Sequence, residues 1–393
     1  MNFPVFNIYG TSLLLLTLQG LVFCLLLFQR YRRQRNFADL LLTLILLITC
    51  YHQTTYTLGF MSWFDTYPTT KINYLTPDLS LALAPLIYFY IKSTTAPDFT
   101  SKDIRLWHFL PVAIYILIKV FILVYDAMQP GFSDVQNGPL VINFEWKYLS
   151  PFLFLLTALQ MLLYLAFSYQ VLYAFREKIK HYFANTYRLE LNWLRNFLIA
   201  YSLLYLFNCI QSVIDAMIVD LSWRQEWWYY LLSGIAIIYV GMKGYFTGVK
   251  ELGNADFVAF EVPKTTQLAK SDSRKASKDL DGKKTMIQEY FLENKPYLDK
   301  ELSLITLARQ MNLSREELSE VINQGFNTRF NDFINAYRIS EIKSQIKAGK
   351  HQTLSLLGLA YEAGFNSKAT FNRAFKKAEG QSPSAYLASL NQI

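Results

Sequence analysis

The chain has 393 residues, 52% of them hydrophobic, and its mean hydropathy is above zero. This composition is unusual for a soluble protein, because runs of about 20 apolar residues are what a bilayer core of roughly 30 Å requires. The formal net charge of +8 suits DNA or anionic lipid. The three cysteines all fall inside apolar runs, which argues against a disulfide framework.

Seven apolar segments in the first 248 residues are long enough to cross a bilayer. The first is not a signal peptide, since residues 1–10 carry no Lys or Arg and no small-residue cleavage pattern follows. We therefore predict an all-α fold in which residues 1–248 form a transmembrane sensor domain. The predicted spans are residues 10–29, 37–59, 77–93, 106–126, 149–174, 197–219 and 227–247.

The basic residues between these spans indicate an orientation. If residue 1 lies outside, the inner loops carry twelve Lys and Arg residues and the outer loops carry three. Short cytoplasmic loops accumulate Lys and Arg, so the pattern predicts an outside N-terminus and a cytoplasmic C-terminal half. All seven tryptophans lie at or near predicted span ends, where amphipathic rings prefer to sit.

Lys119 is the one basic residue well inside an apolar run, Asp215 also lies within a predicted span, and an ionisable group there is a functional candidate. With the predicted orientation both lie in the outer half of their spans, and Gln211 lies one turn from Asp215. One hypothesis is that Lys119 pairs with Asp215 beneath an outward-facing pocket, and that Lys119, Gln211 and Asp215 together form a signal site. The alternative, which we favour, is that both charged side chains extend to the lipid headgroups.

Residues 249–284 lose the apolar runs and mix lysines, aspartates and serines, which predicts a flexible linker. A coil of this length reaches roughly 30–35 Å on average. The domain that follows, residues 285–393, is therefore expected to stay close to the membrane.

The same helical pattern occurs twice after the linker, at Leu304–Ile322 and at Leu356–Phe375. Each copy begins with apolar residues at i, i+3, i+4 and i+7, and each includes a small residue, Ala308 or Ala360, where a second helix can cross closely. A short turn and a second capped amphipathic helix follow. The pattern is compatible with any small helical bundle, but two matched copies favour a pair of DNA-binding helix-turn-helix units.

Three further motifs make the assignment specific: Leu359-Ala360-Tyr361-Glu362-Ala363-Gly364-Phe365, Phe371-Asn372-Arg373-Ala374-Phe375-Lys376-Lys377 and Gly380-Gln381-Ser382-Pro383-Ser384-Ala385-Tyr386. With these motifs, the last quarter of the chain resembles the DNA-binding domain of AraC/XylS-type transcriptional regulators. The resemblance implies two helix-turn-helix units joined by a long helix, here Thr328–Lys347, with recognition helices in successive major grooves.

The membrane half departs from the soluble members of that family and resembles membrane-anchored bacterial regulators with an AraC-type tail. A sugar or aromatic ligand of the soluble members therefore does not carry over.

The residues expected to contact DNA lie on or beside the two recognition helices. Residues 343–393 hold seven basic and two acidic residues, whereas residues 285–342 hold six basic and nine acidic. Attraction to DNA phosphates is therefore expected mainly from the second helix-turn-helix. The candidates are Asn366, Ser367, Lys368, Asn372, Arg373, Lys376 and Lys377 in the second unit, and Ser314, Arg315, Ser319 and Asn323 in the first.

No catalytic arrangement, metal-ligand spacing or phosphate-binding loop is visible in the sequence, so neither an enzyme nor a cofactor is expected. We interpret the chain as a one-component transcription regulator of the bacterial inner membrane. Its expected partners are duplex DNA, the lipid bilayer, RNA polymerase and an unidentified signal ligand, and a homodimer is a candidate assembly. The alternative is a transporter-like or receptor-like membrane protein whose tail is a regulatory or protein-docking module.

Overall fold

The computed structural model describes residues 3–96, 98–186, 191–222, 224–247 and 273–390. These residues are helical with short connections, and no strand occurs among them, which confirms the predicted all-α class. The chain divides into two compact units. The first comprises Met1–Leu172 and Trp193–Asp256, and the second comprises Tyr173–Asn192 and Phe257–Ile393.

The first unit is built from long apolar helices. We label them α1 (Ile8–Gln34), α2 (Phe37–Phe60), α3 (Ser80–Thr95), α4 (Leu110–Ala127), α5 (Ser150–Lys180), α6 (Asn192–Met217) and α7 (Trp227–Phe246). Two four-residue helices, Trp63–Thr66 and Ile72–Leu75, precede α3, and a π-helical segment, Val141–Leu149, leads directly into α5. Short 3₁₀ turns lie at Ser101–Asp103, Leu106–Phe109 and Phe132–Asp134. Helix α5 is shared, because the second unit begins at Tyr173.

Six helical segments in the described residues are long and apolar enough to cross a membrane, and the first six predicted spans fall on them. The seventh predicted span coincides with α7 but is not among the six. Helix α7 begins with four aromatic residues and carries Lys243 near its end. The six segments are Ile8–Gln34, Phe37–Phe60, Ile72–Thr95, Leu106–Ala127, Val141–Lys180 and Asn192–Asp215.

Helix α7 packs between α1 and α2 at the end where Arg30 lies. The Arg30 guanidinium makes a paired contact with the buried carboxylate of Asp39, at 2.7 and 2.6 Å, and donates to the carbonyl of Gly244 at 2.8 Å. A Cβ at Gly244 would lie 2.2 Å from a methyl group of Leu42, so a larger residue there would require the Leu42 side chain to move. The arginine therefore joins the ends of three helices while keeping its charge paired.

The second unit consists of α8 (Ser273–Asn294), α9 (Leu304–Gln310), α10 (Arg315–Glu320), α11 (Phe330–Lys347), α12 (Leu356–Glu362), α13 (Lys368–Glu379) and α14 (Pro383–Leu390). A π-helical segment, Val321–Gly325, extends α10, and 3₁₀ turns lie at Pro296–Leu298 and Lys350–Gln352. The predicted linker covers residues 249–284, and α8 begins at Ser273 within the last part of that range. Residues 249–272 lie outside the described part of the chain.

Two hydrophobic cores organise the second unit, one for each predicted helix-turn-helix. The first includes Leu304, Leu307, Ala308, Leu318 and Ile322, all buried. The second includes the equivalent apolar residues of α12 and α13. The joining helix α11 contributes Phe330, Phe333 and Ile334 to the first core and Ile339, Ile342 and Ile346 to the second. These contacts confirm the predicted apolar faces and the close crossings at the two small residues.

Candidate nucleic-acid interface

The first helix-turn-helix begins with two side-chain caps. Ser303 Oγ accepts from the Thr306 amide at the start of α9, and Ser314 with Glu317 forms a capping box at the start of α10. Hydrogen bonds from Ser314, together with Lys283, lower the pKa of Glu317 to about 2. The carboxylate therefore stays ionised and the cap stays formed across the physiological pH range.

The recognition helix of the first helix-turn-helix, α10, carries charges that pair with one another. Arg315 donates to Glu316 Oε1 from two nitrogens, at 3.0 and 2.6 Å. A backbone hydrogen bond and then Arg315 lower the pKa of Glu316, which keeps its negative charge at the surface. One turn later, Asn323 Nδ2 donates to Ser319 Oγ at 3.1 Å. All four DNA-contact candidates of the first helix-turn-helix therefore lie between Ser314 and Asn323. Many of their hydrogen-bond donors are already used in contacts within the protein.

The turn of the second helix-turn-helix contains a glycine that cannot be replaced without strain. Gly364 has a φ of +95°, and a Cβ there would lie 2.5 Å from the carbonyl oxygen of Tyr297, so both conformation and space require glycine. Ser367, not Asn366, caps α13, with its Oγ accepting from the Thr370 amide at 3.2 Å. Gly380, at a φ of +72°, ends the helix.

Helix α13 carries most of the basic candidates of the second helix-turn-helix. Phe371 and Phe375 are buried, whereas Lys368, Asn372, Arg373, Lys376 and Lys377 are exposed. Lys377 Nζ contacts Asp332 Oδ1 at 2.7 Å. The structure thus places the polar candidates of the second helix-turn-helix on a single helix, α13. Asn366 and Ser367, both half-buried, lie directly before its start.

Arg338 is an important residue that the sequence reasoning missed. Its side chain is fully buried on α11, where Nε donates to the Tyr297 carbonyl and Nη2 to the Asp299 carbonyl, both at 2.7 Å. Its guanidinium also lies 5.6 Å from the ring centroid of Phe365 in the second core. Burial lowers the pKa of Arg338 to about 10, so the group remains charged at neutral pH.

Arg338 therefore connects the backbone before the first helix-turn-helix with an aromatic residue of the second. A signal for it exists in the sequence, because Arg338 lies four residues from both Ile334 and Ile342 on the buried face of α11.

A segment far away in sequence completes the first core. The Ala184 amide donates to the Leu302 carbonyl at 3.1 Å, and the Leu304 amide donates to the Tyr182 carbonyl at 2.8 Å. Asn331 Nδ2 donates to the Ala184 carbonyl at 2.6 Å, and Ala184 itself is fully buried among the core residues. No local pattern in residues 181–186 indicates this packing, since it depends on residues more than 100 positions away.

The chain just before Tyr182 also lies beside the first helix-turn-helix. Arg329 forms an ion pair with Glu177. Burial, and then the charge of Arg329, lower the pKa of His181, so its ring is neutral at pH 7; Asn323 is among its hydrogen-bond partners. The end of the first recognition element is therefore in contact with the chain that follows α5.

The hypothesis that Lys119 pairs with Asp215 is wrong. Lys119 Nζ binds both carboxylate oxygens of Glu145, at 2.6 and 2.8 Å, and donates to the Asn73 carbonyl at 2.8 Å. Asp215 instead accepts from the Leu221 amide at 2.7 Å, and Gln211 donates to the Gln225 carbonyl at 3.3 Å. Glu145 lies in the π-helical segment, outside the predicted spans, and was therefore not considered as a partner.

A protein-family profile described as a helix-turn-helix domain matches residues 307–389. The match includes both recognition helices and the joining helix α11, and it supports an AraC-type DNA-binding domain in this region. The matched family consists of DNA-binding regulator domains and is not an enzyme family. No curated protein and no solved structure matches the chain.

Proposed function

We propose that this protein is a membrane-tethered one-component transcription regulator, which binds specific promoter DNA through two helix-turn-helix units under the control of a signal sensed by its membrane domain. The observation that carries the proposal is the pair of capped recognition helices, α10 and α13, within the region that matches a helix-turn-helix family. The joining helix α11 has 18 residues and spans about 27 Å, which suits recognition elements in neighbouring turns of the major groove.

Exposed apolar side chains on the first unit support membrane embedding. Leu15, Leu117, Phe121, Leu162 and Leu203 each expose 60% or more of their surface. Soluble proteins rarely expose large contiguous apolar surfaces, whereas lipid would cover them. We propose that the chain resides in the bacterial inner membrane with residue 1 outside and the DNA-binding domain in the cytoplasm.

This orientation makes a direct prediction for reporter fusions. A reporter that is active only in the cytoplasm should be active when fused after Lys250 and silent when fused after Asp134. The reason is the asymmetry of Lys and Arg between the two sets of loops. The reverse pattern would exclude transcription regulation, because the DNA-binding domain would then lie outside the cell.

The two recognition helices should contribute differently to DNA binding. Replacing Arg373 by Ala is expected to weaken operator binding by about 1–3 kcal/mol and to relax preference at one or two base pairs. Replacing Lys376 by Ala should instead weaken binding to all DNA sequences. It should also reduce the slope of log binding constant against log salt concentration by about 1. Replacing Glu316 by Ala should leave affinity unchanged or raise it, because the charge that engages Arg315 is removed.

These variants are best compared by DNA titration of the full-length protein in detergent micelles, since Ala184 contributes to the core of the DNA-binding unit. The variant Lys300→Ala, an exposed lysine outside both recognition helices, serves as the matched control. Operator affinity that survives Arg373→Ala but is lost in Glu316→Ala would reverse the proposed ranking of the helices.

Crosslinking of the intact protein to DNA across the genome tests the function itself. We expect a small set of promoter sites that share a sequence with two half-sites one helical turn apart. We further propose RNA polymerase as a partner at these promoters, and a homodimer as the assembly that binds them. Recovery of no DNA above the level of an Arg373→Ala, Lys376→Ala double variant would contradict the proposal.

A further inference from the structure

The first unit contains a cavity of about 400 Å³, a volume typical of small-molecule sites. It lies among α2, α3, α5, α6 and α7, with a polar part near the start of α3 and an apolar part formed by residues such as Leu153, Met161 and Ile237. None of the residues proposed above for DNA binding lines it, and neither do Lys119, Glu145 or Asn73.

Tyrosine is the dominant side chain of the cavity wall. Seven lining residues are tyrosines, including Tyr205, Tyr229 and Tyr230. Aromatic rings attract cations through their negative faces, and a cation that has left water gains most from this contact. Of the described side chains that line the cavity, none is a lysine or arginine, and Asp78 is the one carboxylate.

Asp78 is held in place by contacts with the scaffold. Its amide donates to the Tyr115 hydroxyl at 3.3 Å, and its Oδ1 accepts from the Ser80 amide at 2.8 Å. His52 Nε2 lies 3.3 Å from Oδ1 but accepts a hydrogen bond from the Leu79 amide at 3.0 Å. A ring nitrogen that accepts carries no proton, so His52 is neutral in this arrangement and does not cancel the charge of Asp78.

A second group in the wall requires a donor. Gln53 is only 1% exposed, and its Nε2 donates to the Leu13 carbonyl at 3.4 Å, which orients the amide. Its Oε1 is buried and has no hydrogen-bond partner within the described part of the chain. A buried acceptor without a partner costs about 1–3 kcal/mol, and an N–H group of a bound molecule would remove this cost.

We propose that this cavity binds a small organic amine, in which a protonated primary or secondary ammonium group is carried on an apolar body. The ammonium charge matches Asp78 and the tyrosine rings, its N–H donors match Gln53 Oε1, and its apolar body fits the deeper part of the cavity. That such an amine acts as the signal rests on the proposed function, whereas its binding does not.

The test is calorimetric titration of the full-length protein in detergent micelles, without DNA, so that failure to bind the amine is separate from failure to bind DNA. The probes are 2-phenylethylamine, its N,N,N-trimethyl derivative, the neutral 2-phenylethanol and the anionic phenylacetate. We expect the amine to bind most tightly, the trimethyl derivative next because it offers no N–H donor, and the anion most weakly.

Two variants locate the binding. Asp78→Asn keeps a side-chain oxygen that can accept from the Ser80 amide, and, because the Asp78 side chain is 60% exposed, it should weaken amine binding by roughly twofold to fivefold. Gln53→Leu should weaken binding of the amine by roughly fivefold and leave binding of the trimethyl derivative unchanged. Asp65→Asn, at an exposed carboxylate that does not line the cavity, should bind like the wild type.

The comparison of probes on the wild type keeps the proposal falsifiable if Asp78→Asn fails to fold. Phenylacetate or 2-phenylethanol binding as tightly as the amine would overturn it. Absence of amine binding up to about 10 mM, or equal amine binding by wild type and Gln53→Leu, would also overturn it.

Discussion

Replacing Arg338 by alanine is expected to lower the free energy of unfolding of the DNA-binding unit by about 3–5 kcal/mol. The change removes a fully buried side chain and leaves the Tyr297 carbonyl without its donor. An unpaired buried carbonyl costs about 1–3 kcal/mol, and the space left by a large side chain adds a cavity penalty of similar size. Native-state hydrogen exchange of the α11 amides in the full-length protein measures this loss.

Two controls separate this effect from a general effect of lost charge. Arg309→Ala removes an exposed arginine of the same unit and should change stability by no more than about 0.5 kcal/mol. Arg338→Lys keeps a charge and one donor and should fall between the two. If the α11 amides of Arg338→Ala exchanged as slowly as those of the wild type, Arg338 would not join the two helix-turn-helix units energetically.

Replacing Lys119 by methionine is expected to destabilise the first compact unit, which holds the long apolar helices, by about 3–5 kcal/mol. Lys119 and Glu145 are 4% and 7% exposed, so the change leaves a buried carboxylate without its partner. The Asn73 carbonyl also loses a donor. Thermal unfolding of the protein in detergent micelles, followed by the loss of monodisperse material, provides the measurement.

The matched control is Lys147→Met, which changes an exposed lysine of the same π-helical segment and should be close to neutral. The double variant Lys119→Met, Glu145→Leu should recover much of the stability, because both charges are then absent. Asp215→Asn should cost at most about 1 kcal/mol, the value of one hydrogen bond. Rescue of Lys119→Met by Asp215→Asn, but not by Glu145→Leu, would contradict the observed pairing.

Features encoded in neighbouring residues could be predicted from the sequence. The caps at Ser303, Ser314 and Ser355 and the apolar faces around Ala308 and Ala360 follow from spacings of three or four residues, which fix what a helix turn brings together. The joining helix was predicted over Thr328–Lys347 and is observed over Phe330–Lys347.

Features that depend on distant partners could not be predicted in this way. Glu145 lies outside every predicted span, so the sequence pattern does not indicate it as the partner of Lys119. The cavity could not be anticipated either, because its wall takes Gln53, Asp78, Tyr205 and Tyr229 from four separate stretches of chain. The start of α8 at Ser273 was missed because its charged and serine-rich composition is typical of a linker.

The packing of Tyr182–Ala184 against Leu302–Leu304 means that the DNA-binding unit is a composite of two stretches of chain, with α6 and α7 between them. The ribosome must therefore synthesise both of those helices before the unit can be completed. A protease that cut once within residues 249–272 would not by itself liberate a finished transcription factor, since one piece of its folded core would remain covalently attached to α5. The severed tail would have to leave Ala184 behind and close the gap in its core, or stay bound to the membrane as a non-covalent complex.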